Sequence, residues 1–78
     1  MNDVDAAIRR AITGVAPEAD LDALGLDDDL QAELDLDSMD FLNVLIALEG
    51  LTGVTIPESD YRDVRTFRAL SDYVAVRR

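Results

Sequence analysis

Three stretches of the chain carry apolar residues at helical spacing, and the residues between them supply the signals that start and stop each one. In the first, Val4, Ala7, Ile8, Ala11, Ile12 and Val15 recur on one face from Asp3 to about Val15. Asp3 and Asp5 in its first turn and Arg9 and Arg10 later suit the helix macrodipole, and Gly14 and Pro17 are expected to stop it. The second helix, Ser38 to about Leu51, carries two stripes. At about 100° per residue, Phe41, Val44, Leu45 and Leu48 gather on one side, with Met39, Leu42 and Ile46 almost opposite. The first stripe reads as core. The second is either further core beneath a loop or an exposed patch that meets a partner. Gly50, Thr52 and Gly53 are expected to end this helix, and Val54-Thr55-Ile56-Pro57 reads as an extended link, because a residue before proline is pushed out of the helical region. A short helical turn follows at about Ser59 to Asp63. The last helix starts at Thr66 as N-cap and buries Phe67, Leu70, Val74 and Tyr73, with Arg77 and Arg78 at its negative end.

Between the first two helices, from Pro17 to Leu36, the pattern loosens. A connection that long in a small domain needs an anchor. Leu21, Leu24, Leu26, Leu30, Leu34 and Leu36 can peg it onto the helices beneath, with a helical turn around Asp29 to Glu33. The acids of this loop invite a calcium-loop reading. Counted from Asp20, however, the register puts Leu24 at the third ligand position and Gln31 where a bidentate Glu belongs, so no metal site is assigned. The expected fold is all-α: a small four-helix bundle, three main helices plus one short one, with a long first loop, forming a single domain over residues 1–78.

Seventy-eight residues without a cysteine leave apolar packing as the only support for such a fold. No apolar run approaches the roughly 18 residues of a membrane span, and the start Asn2-Asp3-Val4-Asp5 lacks a basic n-region, so a cytoplasmic protein is expected. Charge narrows the partners further. There are 17 acids against 7 arginines, with no lysine, for a net charge of −10. No basic residue falls between Ala11 and Tyr61, a stretch holding 13 of the acids. Nucleic acid is excluded as a partner, since neutralising phosphates needs a basic face. An anionic middle instead steers basic partners.

The stretch Asp35-Leu36-Asp37-Ser38-Met39-Asp40-Phe41-Leu42 concentrates the candidate chemistry. Asp37 is a good N-cap, Asp40 can close a capping box, and Leu36 and Phe41 fall at the positions of a hydrophobic staple. Ser38 thus stands at a helix mouth, where backbone N–H groups favour a phosphate that Asp37 and Asp40 oppose. That combination suits a serine which another protein modifies. Without histidine, cysteine or lysine, Ser38 has no conventional base, and no glycines flank it as in a nucleophile elbow. Asp35, Asp37 and Asp40 read better as caps than as an acid–base cluster, because so short a chain has little room to perturb their pKa values. No catalytic residue is assigned, and the chain by itself is not expected to be an enzyme.

Asp37-Ser38-Met39-Asp40, followed by a long apolar helix, Ile56-Pro57, Thr66-Phe67 and Asp72-Tyr73-Val74, resembles the acyl carrier protein family, whose core is Asp-Ser-Leu-Asp. The resemblance implies that Ser38 carries 4'-phosphopantetheine, attached from coenzyme A by a separate phosphopantetheinyl transferase. It implies a monomer that presents acyl groups as thioesters to acyl-loading and acyl-transferring enzymes. The partner surface it implies is Met39, Leu42 and Ile46 with the acids Asp37, Asp40 and Glu49. Several positions depart from the housekeeping fatty-acid pattern: Met39, Asp35 where Gly is common, Gly50-Leu51-Thr52, and the positive Arg62, Arg65 and Arg68. A specialised carrier, polyketide-like or of another acyl pathway, fits as well as fatty-acid synthesis. Phe41 also occupies a core position just after Ser38 where the family often has a smaller residue, which suits a short, polar or exposed acyl load. The rival from another class is an acidic adaptor bundle in which Ser38 is only an N-cap or a phosphorylation site.

The acids from Glu18 to Glu58 have no basic neighbour in sequence, so folding gathers like charge. Added salt or a millimolar divalent cation should therefore raise the melting temperature. A melting temperature indifferent to ionic strength would mean that Arg62, Arg65 and Arg68 already neutralise the field in the folded state.

Overall fold

Val4, Ile8, Ala11 and Ile12 form one buried stripe along α1 (Asp3–Val15), and this stripe is the floor on which the rest of the chain packs. The computed structural model describes residues 3–78; Met1 and Asn2, the latter opening the charged start noted above, lie outside the described residues. Three further α-helices follow: a single turn α2 (Leu30–Glu33), the long α3 (Ser38–Thr52) and α4 (Phe67–Arg77). Two 3-10 segments, Leu21–Ala23 and Glu58–Asp63, complete the helical elements. α1 lies chiefly against α3 and secondarily against α4. The buried faces of the three long helices meet in one core with Leu30, Leu36, Val54, Ile56 and Val64. The all-α bundle of three long helices is as expected. The short helix anticipated at Ser59 is the 3-10 segment beginning at Glu58, and the turn anticipated around Asp29 is α2.

Two expected helix stops are not stops. Gly14 lies inside α1, which runs to Val15 and is followed by an Ala16 N–H bond to the Ile12 carbonyl at 2.7 Å. Gly50 lies inside α3. A glycine costs a helix interior only about 1 kcal/mol relative to alanine, too little to end a helix held by its buried face. α3 closes at Gly53, the last of its expected stops, whose φ of 78° is left-handed and whose N–H reaches the Glu49 carbonyl at 2.7 Å.

Five of the six leucines expected to peg the long loop do so, and Leu26 is the exception. Leu30 and Leu36 are buried, and Leu21, Leu24 and Leu34 pack against the core, but Leu26 is 50% exposed. Its backbone does the anchoring there, since the Leu26 carbonyl accepts the Arg68 N–H at 2.9 Å. The adjoining stitch is denser. Asp29 and Thr66 form an isolated antiparallel bridge, and Leu30 N–H donates to the Arg65 carbonyl at 2.8 Å. The Asp29 carboxylate accepts from the N–H groups of Gln31 and Ala32, starting α2, and pairs with the Arg65 guanidinium at 2.9 Å. Asp27 pairs with Arg68, also at 2.9 Å, and that contact holds the Arg68 guanidinium above its ordinary pKa. Asp20 is likewise a cap, accepting from Ala23 N–H, and Asp28 closes a turn by accepting from Gly25 N–H.

Asp29 does two jobs and Asp27 one. Asp29→Ala removes an N-cap and a half-exposed ion pair, and is expected to cost about 1–2 kcal/mol by urea denaturation. Asp27→Ala removes one solvent-screened pair and is expected to leave stability close to that of the wild type. Equal losses would show that the cap adds nothing beyond surface charge.

Candidate functional site

Asp35 sets the approach to Ser38. Its φ of 54° makes it the one left-handed non-glycine residue among those described. Leu34 caps the end of α2, and the Leu36 N–H reaches back to the Gln31 carbonyl at 2.9 Å, the longer bond of a Schellman motif. The chain therefore reverses at Asp35, buries Leu36, and enters α3 immediately afterwards. The expected capping box is present: the Asp37 carboxylate accepts from Asp40 N–H at 2.7 Å, and the Asp40 carboxylate from Asp37 N–H at 3.4 Å. Leu36 and Phe41, at the staple positions, are both buried in the same core.

Because Asp37 does the capping, Ser38 has no structural task. It is the first residue of α3, exposed, with no hydrogen bond to its hydroxyl among the described residues. The N-cap role held open for Ser38 thus belongs to Asp37. A cleft of about 600 Å³ opens beside the serine. Phe41, Leu42 and Tyr61 form its apolar side, and Gln31, Glu58, Arg62 and Arg65 its polar rim. Phe41 is buried and meets Tyr61 edge-on, with ring centroids 6.3 Å apart. Arg65 is already paired with Asp29, whereas Arg62 has no ion pair among the described residues. The Ser38 hydroxyl is thus exposed and unengaged at the edge of an open cleft.

The second stripe of α3 faces outward. Met39 and Ile46 are 63% and 57% exposed, and Leu42 is half-buried at the cleft. Glu49 follows on the same face and accepts a hydrogen bond from the Thr55 hydroxyl. Asp37 and Asp40 stand at the N-terminal end of the helix, where they form the capping box around Ser38. Of the seven residues singled out in the sequence, Ser38, Met39, Leu42, Ile46 and Glu49 share one side of α3, Asp37 caps its start, and the half-buried Asp40 lies off that side. Gln31, Glu58 and Tyr61 were missed as parts of the site. They come from separate segments, and no local pattern marks them. Arg62 and Arg65 were noted only as charge; Arg68, noted with them, serves the loop instead.

Comparison with known proteins identifies the class. The sequence model of the family described as "Phosphopantetheine attachment site" matches residues 6–74. The acyl carrier protein of Renibacterium salmoninarum is 32% identical over 63 residues, covering 81% of this chain and 73% of that protein. The chain belongs to the acyl carrier protein family. It is a carrier rather than a catalyst, its cofactor is covalently attached 4'-phosphopantetheine, and it works with a transferase and acyl-handling enzymes. Among the described residues, no helix is long and apolar enough to cross a membrane.

The left-handed Asp35 has a measurable consequence. Glycine adopts that conformation without a Cβ clash, so Asp35→Gly is expected to stabilise the fold by about 0.5–1 kcal/mol, and Asp35→Val to destabilise it by about 1–2 kcal/mol. Urea denaturation of the two variants is the check. A destabilised glycine variant would show that the aspartate side chain itself supports the turn.

Proposed function

We propose that Ser38 is the residue that carries the phosphopantetheine arm and that the outward face of α3 is where partner enzymes dock. The observation that supports this most directly is the division of labour at the helix mouth. Asp37 satisfies the backbone there, and Ser38 is left exposed beside an open cleft. When bound, the group supplies the thiol that the chain lacks, on which acyl groups travel as thioesters. The residues around it do the rest. Met39, Leu42 and Ile46 give partners an apolar strip, and Asp37, Asp40 and Glu49 border it with negative charge that selects basic surfaces. The partners on this reading are the phosphopantetheinyl transferase and the enzymes that load and receive acyl groups. The unit acts as one domain and as a monomer.

For cargo, we propose a short or polar acyl group from a specialised pathway, polyketide-like or of another acyl modification, in preference to the long chains of fatty-acid synthesis. Two features support it. The cleft rim is polar, with Gln31, Glu58, Arg62 and Arg65, and the core behind the cleft is filled by Phe41, which is 4% exposed. Interiors packed near crystal density have no void for a long chain, and removing a buried Phe costs roughly 3–5 kcal/mol.

The attachment residue is tested by mass. Incubation with coenzyme A, magnesium and a broad-specificity phosphopantetheinyl transferase should add one phosphopantetheinyl group to the wild-type chain and none to Ser38→Ala. The variant should remain folded, since Asp37 keeps the cap. A modified Ser38→Ala, or addition at Ser59 or Ser71, would overturn the assignment. An unmodified wild type would favour the adaptor reading instead.

A further inference from the structure

Two clefts follow one another along α3, and Tyr61 is the residue they have in common. The first, of about 600 Å³, begins at Ser38 and passes Phe41 and Leu42. The second, of about 140 Å³, lies against Leu45, Ile46 and Glu49, with Thr55 and Ile56 across from them. At about 1.5 Å of rise per residue, Leu42 is roughly 6 Å along the helix from Ser38 and Leu45 roughly 10 Å. Tyr61 lies on the wall between these two levels.

Its position is fixed from several sides. The ring packs edge-on against Phe41 at an interplanar angle of 90°. The preceding residue, Asp60, accepts a hydrogen bond from the Tyr73 hydroxyl at 2.7 Å, which ties the 3-10 segment to α4 and raises the Tyr73 pKa above its ordinary value. On the other side, the Tyr61 carbonyl accepts the N–H of Val64, which is fully buried. Opening the wall would thus require moving a pinned segment as well as a ring.

Resting on the assignment of Ser38 as the attachment residue, we propose that Tyr61 is the specificity-determining residue for cargo length, because it shuts the first cleft off from the second. A tethered group reaches a high effective concentration beside its attachment point, so even weak affinity for the first cleft fills it. Each methylene that passes Phe41 and Leu42 leaves water and gains from burial. That gain ends at the Tyr61 ring. An acyl chain longer than the first cleft keeps its tail in solvent, where it is open to water and to any partner. Arg62, Gln31 and Glu58 add hydrogen-bonding groups to the rim of the first cleft, which favours oxygenated short acyl groups over plain hydrocarbon.

The test compares backbone amide shifts of wild type, Tyr61→Phe and Tyr61→Ala, each loaded with acetyl, butyryl or octanoyl arms and referenced to its own acetyl form. Loading is verified first by intact mass, so a failure of attachment at Ser38 registers there, separately from the shifts. In wild type and Tyr61→Phe, octanoyl should move the amides of Phe41 and Leu42 and leave Thr55 and Ile56 at their acetyl positions. In Tyr61→Ala, octanoyl but not butyryl should move Thr55 and Ile56 as well. Should Tyr61→Ala lose its dispersed spectrum, Tyr61→Leu, which keeps an apolar contact for Phe41, replaces it in the comparison. Octanoyl shifts at Thr55 and Ile56 in wild type would overturn the proposal. So would their absence from the opened variant, or an octanoyl arm that leaves Phe41 and Leu42 unmoved.

Discussion

The fold depends on how a long acidic loop is held against the start of α4, and Asp29 is where that happens. A segment from Pro17 to Leu36 has too little regular structure to place itself. Asp29 gives it a fixed point through its cap on α2, its backbone bridge to Thr66 and its pair with Arg65. Each contact is modest alone. Together they order a turn from which everything at the site is measured, because α2 leads through the reversal at Asp35 straight into the capping box of α3. Ser38 is therefore positioned from behind by a loop and from below by the buried face of α3.

The opposing faces of α3 are divided between the core and solvent. Phe41, Val44, Leu45 and Leu48 are spent on the core, while Met39 and Ile46 remain in solvent. Exposing two large apolar residues has a solubility cost, and the acids beside them offset it by keeping molecules of like charge apart. Surface charge on this chain thus serves caps and solubility at once. Among the described residues, the ion pairs join the long loop to Arg9, Arg65 and Arg68, and Arg78 to Asp3.

Much of this was legible in the sequence because it is local. The periodicity of α1, α3 and α4, the caps Asp37 and Thr66, the capping box and the staple all lie within one or two helical turns, so short-range spacing determines them. The motif around Ser38 and the sides on which Phe41 and Ile46 fall belong to the same category. Where local rules failed, burial overrode them: Gly14 and Gly50 remain helical because the packing of whole faces outweighs a single weak residue.

What the tertiary structure alone decided is everything built from distant segments. Asp29 and Arg65, or Ser38 and Tyr61, are tens of residues apart, and no pattern along the chain says that they meet. Leu26 was expected inside and is half out, because a backbone hydrogen bond to α4 settled its place before its side chain could. The second stripe of α3 could have been core or surface, and only the path of the loop left it uncovered. The sequence by itself determined that Ser38 would stand at the mouth of a helix; the cleft beside it, with its polar rim and aromatic lining, was decided by packing, since contacts between remote residues exist only once the chain has closed on itself.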